Sequence, residues 1–177
     1  AFNAPIAGVF FALEILLGQI GGDVLGTILL ASVTSSVFTQ AMAGSQPAFL
    51  VPAYAFRSAW ELPLYLLLGL LAGLTSAVYV RLLYLSQDFF TGLHLPRWTK
   101  PALAGIALGG AGLYLPQALG VGYETIEAIL NRSEFSLGLL LALLCAKILL
   151  TPLSIGAGFI GGVFAPSLFI GAALGGA

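Results

Sequence analysis

The sequence predicts an all-α integral membrane protein whose transmembrane helices are tilted and broken, and three observations carry that expectation. The chain is 59% hydrophobic and only 7% charged over 177 residues, whereas soluble domains run about 25% charged. Long runs such as LPLYLLLGLLAGLTSAVYV (62–80) show no alternation of apolar and polar residues, so they are not the strands of a membrane barrel. The remaining solution for a backbone in lipid is the helix, which satisfies its own hydrogen bonds. The 23 glycines and 9 prolines fit this reading, because membrane helices tolerate both better than soluble ones do. Neither the net charge of −1 nor the sequence pI of about 5.7 suggests a nucleic-acid partner.

Six apolar segments follow one another. Residues 5–17 (PIAGVFFALEILL) are short for a span, which usually needs about 20 residues. The polar, glycine-rich GQIGGD (18–23) turns the chain into a second helix, 24–40, rich in small and hydroxyl residues. A loop at 41–61 carries Gly44, Pro47, Pro52, Arg57 and Glu61. Residues 62–86 form the longest predicted helix, which is expected to tilt. The loop SQDFFTGLHLPRWTK precedes a helix at 101–116, and the short amphipathic GVGYETIEAIL precedes a span at 135–154. Segment 162–177 is the last. Arg81, Arg97 and Lys100 surround residues 86–101 against Asp88 alone, while 120–134 holds Arg132 and three acids. The bias of basic residues places 86–101, and with it the turn at 18–23, on the cytoplasmic side. Glu14 then lies near the inner membrane face. The start, AFNAPIAG, lacks both a basic leader and an initiator Met, and the end stops within an apolar stretch. The chain is therefore expected to be a fragment.

The stretch GAGFIGGVFAPSLFIG (156–171) interrupts this apolar pattern. Glycines at 156, 158, 161 and 162 favour irregular backbone. Val163 onward is apolar and can be helical, with Pro166 in the first turn, where a missing N–H loses little. A helix starting there leaves its first N–H groups without partners, and its aligned peptides place roughly half a positive charge at that end. A helix start inside a membrane is thus an anion site made without a cationic side chain. A lysine would hold the ion more tightly and carry a heavy insertion cost, whereas rapid passage needs weak binding. Close packing of helices through small residues is the alternative reading of residues 156–166. Gly69/Gly73, Gly105/Gly109 and Gly171/Gly175 share that spacing and read as packing alone.

Two charged residues lie in apolar runs. Intramembrane carboxylates are functional candidates by default, and Glu14 in FFALEILL is one. Its bland alternative is a helix-end carboxylate that reaches the interface or pairs with a neighbour. Lys147 in LLLALLCAKILL could raise the positive potential of an ion path, pair with Glu14 or Glu134, or snorkel. His94 reads as a solvated loop residue. Cys145 has no partner for an internal disulfide. No Cys/His cluster suggests a metal, no cofactor motif is visible, and no nucleophile or acid pair suggests an enzyme.

The residues also carry a resemblance. GGVFAPSLFIGAALGG resembles the GxFxP signature of the CLC family of chloride channels and chloride/proton antiporters, here Gly162, Phe164 and Pro166. AFNAPIAGVFFALE, GVGYETIEAIL and AKILLTPLSIGAG are similar to family segments in the same order along essentially the whole chain. The resemblance implies a CLC-type inverted-repeat fold. In it, residues 1–40 are the end of the first half, 41–61 the connecting loop and 62–177 the start of the second half. It implies anion transport, as a chloride channel or a chloride/proton antiporter in a multi-pass cell (inner) membrane protein. Chloride is the bound ligand, held at Gly161, Gly162, Val163, Phe164 and Pro166 with the Val163 and Phe164 N–H groups facing it. Chloride and protons are the implied partners, with membrane lipid and a second copy of the chain across helices 5–17 and 24–40. The family's gating glutamate and anion-site serine are expected before Ala1, and its coordinating tyrosine after Ala177. Glu14 aligns with the first of two glutamates on the family's proton pathway. Ile15 stands at the second and cannot carry a proton. The rival expectations are a secondary transporter of another fold, moving a small anionic substrate, and a membrane enzyme.

Overall fold

A computed structural model describes residues 4–18, 22–44, 58–131 and 135–177. They are helical, with no strand among the described residues. The chain divides into two compact units, 1–50 and 51–177.

In the first unit, α1 (Pro5–Phe11) starts on Pro5, whose missing N–H costs nothing at the first helical position. It runs on into one π-helical turn, Ala12–Leu16, closed by Leu17 N–H donating to the Ala12 carbonyl at 3.1 Å. α2 (Gly22–Ala43) packs against α1. The crossing is close at Gly8, where a Cβ would lie 3.1 Å from Ser32 Oγ. That hydroxyl donates to the Pro5 carbonyl at 2.8 Å, tying α2 to the start of α1. Residues 45–57, most of the expected connecting loop, lie outside the described residues.

The second unit contains α3 (Glu61–Gly92), α4 (Thr99–Tyr114), a 3₁₀ turn (Pro116–Ala118), α5 (Tyr123–Leu130), α6 (Leu137–Gly156) and α7 (Phe164–Gly176). α2, α3 and α6 are each long and apolar enough to cross a membrane. At 32 residues, α3 is about 48 Å long, well beyond a hydrocarbon thickness of about 30 Å, so it tilts or projects, in keeping with the expected tilt.

α3 also overruns its expected end. Residues 86–92, read as loop, are helical. The reason is tertiary. α3 and α6 meet so closely that a Cβ on Gly156 would fall 2.8 Å from the backbone of Ser86. One turn on, buried Phe90 packs with Ala104 of α4 and Ala157 after α6. Lys100 then donates to the Phe90 carbonyl at 2.5 Å, tying the start of α4 to the end of α3. The α3–α4 connection shrinks to residues 93–98. α4 starts and stops two residues earlier than expected, because its C-terminal Leu115 leaves helical geometry before Pro116. α5 buries Ile126 and Ile129 on one face, as its amphipathic pattern predicts.

Candidate anion site at the start of α7

α6 ends in two steps that the sequence dictates. Gly158 N–H donates to the Ile155 carbonyl at 3.0 Å, and Phe159 N–H reaches back to Ser154 at 3.1 Å. This pair of bonds is a Schellman stop, which needs a left-handed residue just past the helix. Gly158 fills it at φ +98°. Residues 159–163 then run without helix to Val163, the N-cap of α7.

The first bond of α7 joins Ser167 N–H to the Val163 carbonyl at 3.0 Å. Phe164, Ala165 and Pro166 occupy the three positions before that donor. Pro166 therefore removes no helical hydrogen bond, and Ala165 joins Val163 and Phe164 as a residue whose N–H lies at the helix start. Sequence reasoning passed over Ala165 because it located the start from the glycines. Counting back from the proline would have found it: α3 and α4 also carry proline third, at Pro63 and Pro101. No side chain caps the α7 start and its first turn holds no acid. The helix thus keeps its positive end uncompensated by its own residues. Ser167 Oγ donates to the Phe164 carbonyl at 2.7 Å, so it does not serve as a cap.

The glycines divide into two roles. Gly156 is fixed by the approach of α3, and Gly158 by its positive φ. Gly161 and Gly162 have neither requirement: a Cβ at either meets no atom within 4 Å. Val163 and Phe164 expose 46% and 49% of their surface. Gly161, Gly162 and Val163 therefore stand open on the second unit, and Phe164 is half exposed. The packing reading describes Gly156, and the open readings for 161–166 remain with the backbone.

The rest of α7 is anchored firmly. Phe169 and Ala173 are fully buried. The Phe169 ring lies 4.8 Å from the Lys147 ammonium. Lys147 is the eleventh residue of the 20 in α6, about 15 Å of helix from either end. Phe164 precedes Phe169 by five residues, about 7.5 Å of helix. The start of α7 thus lies alongside the span of α6, not beyond its end. Lys147 is 2% exposed and does not snorkel. It donates to the carbonyls of Ala118 at 2.9 Å and Gly120 at 2.7 Å. No ion pair joins it among the described residues; Glu134 is outside them, and Glu14 belongs to the other unit.

Glu14 lies in the π-helical turn with its side chain exposed on the first unit, as is Ile15, while Leu13 between Ala12 and Glu14 is buried. The wider turn of a π-helix often marks functional positions. A cavity of about 530 Å³ opens between α5, α6 and the far half of α7, lined by Ile129, Leu140, Gly171 and Gly175 among others. Its side chains are apolar, and Phe164 is not among its lining residues. Among the described residues no group of His, Cys, Asp and Glu is arranged to hold a metal.

The whole chain, residues 1–177, matches the family described as voltage gated chloride channel. It is 42% identical over 98% of its length to chloride channel protein CLC-f of Arabidopsis thaliana, covering 24% of that protein. It is 38% identical over 98% of its length to chloride channel protein CLC-e of the same plant, covering 27% of it. It is 31% identical over 99% of its length to the H(+)/Cl(-) exchange transporter ClcA of Vibrio campbellii, covering 38% of it. The chain thus spans about a quarter to two fifths of these relatives. It belongs to the CLC family of voltage gated chloride channels, and with it to the multi-pass membrane proteins. That membership sets aside a transporter of another fold.

Proposed function

We propose that this member of the CLC family carries part of a chloride pathway, and that the start of α7 holds the anion. The observation that supports the reading most is that the start of α7, uncapped and acid-free as those of α1 and α4 also are, lies alongside a membrane span. The N–H groups of Val163, Phe164 and Ala165 point the positive end of the peptide dipoles at the ion. Gly161 and Gly162 leave the approach to them free of side chains, and Pro166 fixes the first turn. Such a site binds through partial charges, so the ion is desolvated without being trapped.

The full protein is read as a transporter or channel and not an enzyme, working as a homodimer in contact with lipid. Exposed Leu30, Val37, Phe38 and Met42 on α2 suit either surface, and helices 5–17 and 24–40 are the proposed subunit contact. Residues 1–40 and 62–177 belong to its two inverted halves. Proton coupling runs through Glu14 if it occurs, since Ile15 offers no titrating group. The test is the full-length protein in liposomes, with flux compared for chloride, nitrate, fluoride and glutamate while internal pH is followed. Chloride flux with selectivity among the small anions is expected. Absence of chloride flux from folded protein would reject the reading. A chloride gradient that drives proton uptake identifies an antiporter; chloride flux at constant pH removes Glu14 from a proton path.

A further inference from the structure

An ammonium in the middle of a membrane span is costly unless its protons find acceptors, so Lys147 needs a reason to be a lysine. Two of its protons go to Ala118, the last residue of the 3₁₀ turn, and Gly120, in the connection from it to α5. The ring of Phe169, in α7, is its third neighbour. The same ring also limits Gly122, where a Cβ would fall 2.6 Å from it and where φ is +79°. Gly120 too has a positive φ, +65°. Lys147, the 118–122 connection and Phe169 therefore form one cluster drawn from α6, the α5 entry and α7, buried at Ala118, Lys147 and Phe169. A neutral donor such as glutamine could bond the two carbonyls, but its attraction for the face of a ring is weaker than a cation's. A cation satisfies both demands at once.

We propose that Lys147 is a positioning residue for the anion site: it clamps Phe169 against the 118–122 connection and thereby fixes where the start of α7 points. Five residues of continuous helix join Phe169 to Phe164, so a tilt at the ring moves the N–H groups. The proposal rests on the reading of the α7 start as the chloride site. It differs from a direct electrostatic role, because in the clamp the ring matters as much as the charge.

Chloride binding to the full-length protein is measured by calorimetry alongside its thermal unfolding, for the natural protein and for Phe169→Leu, Lys147→Met, Lys147→Arg and the double variant F169L/K147M. Phe169→Leu, with the lysine intact, is expected to weaken chloride about fivefold. Lys147→Met should do the same or more, the double variant should be no weaker than Lys147→Met, and Lys147→Arg should restore most of the affinity. Gly122→Ala, which pushes on the ring from the other side, should mimic Phe169→Leu; if Lys147→Met does not fold, these two carry the test. Lower unfolding temperatures with unchanged chloride affinity would reduce the cluster to a stability role and overturn the proposal. So would additive losses in the double variant, or a loss in Lys147→Met with none in Phe169→Leu, which would leave only the charge. Failure of the natural protein to bind chloride would instead overturn the site reading beneath it.

Discussion

α6 and α7 begin in opposite ways. Ser136, ahead of α6, accepts a hydrogen bond from Leu139 N–H at 3.3 Å and so satisfies part of its own helix start. Val163, ahead of α7, has no side-chain atom that can accept a hydrogen bond, and no acid follows in the first turn. Both helices are strongly apolar, so hydrophobicity does not explain the difference. A capped start is self-sufficient. An uncapped one inside a membrane leaves donors that suit an acceptor brought from elsewhere. The omission alone does not write a site, since α1 and α4 also start without a side-chain cap or a first-turn acid; the start of α7 adds to it a place alongside the span of α6.

The comparison breaks most severely if α7 is given the cap that α6 has. Val163→Asp supplies an acceptor with a full negative charge. Two like charges about 4 Å apart repel by about 4 kcal/mol at an intermediate dielectric, nearly three orders of magnitude in affinity. Chloride binding by calorimetry should be lost while the folded protein remains intact by size exclusion. Unchanged binding would place the ion elsewhere. The reciprocal change, Ser136→Ala, removes the α6 cap and should cost about 1 kcal/mol of stability in a denaturation series. Chloride flux should not respond, because the proposed site lies at the start of α7 and not of α6. The smallest effect belongs to Phe164→Leu. Its contribution is assigned to the backbone, and a swap between similar apolar side chains usually costs less than about 1.5 kcal/mol. Substantial chloride affinity should survive; its abolition in folded protein would make the ring itself the ligand.

Much of this was legible in order along the chain. Composition alone dictated a membrane protein, since so little charge cannot clothe a soluble fold. The apolar runs located each helix to within a few residues, apart from the last six of α3, and Pro166 marked a helix start by local chemistry. The GxFxP residues Gly162, Phe164 and Pro166 pointed to the family, and to the site proposed for it, before any coordinate did. These features are legible because helix periodicity, caps and backbone breaks are local, decided by residues within a turn of one another.

Only the tertiary structure decided the rest. Ser86–Gly92 carries polar residues and reads as loop, yet it is helix because Gly156 admits α3 closely and Phe90 has a pocket against Ala104 and Ala157. Of the four glycines in 156–162, the contacts separate Gly156, required by packing, and Gly158, required by its left-handed conformation, from two that stand in open space. The partners of Lys147 lie 27 to 29 residues away along the chain, and no spacing rule connects an ammonium to two carbonyls and a ring across three elements. The sequence by itself determined which segments are helical and where the backbone is free to break. Long-range packing determined which break is held closed and which stands open as the proposed site, because that depends on what reaches the backbone there and what does not.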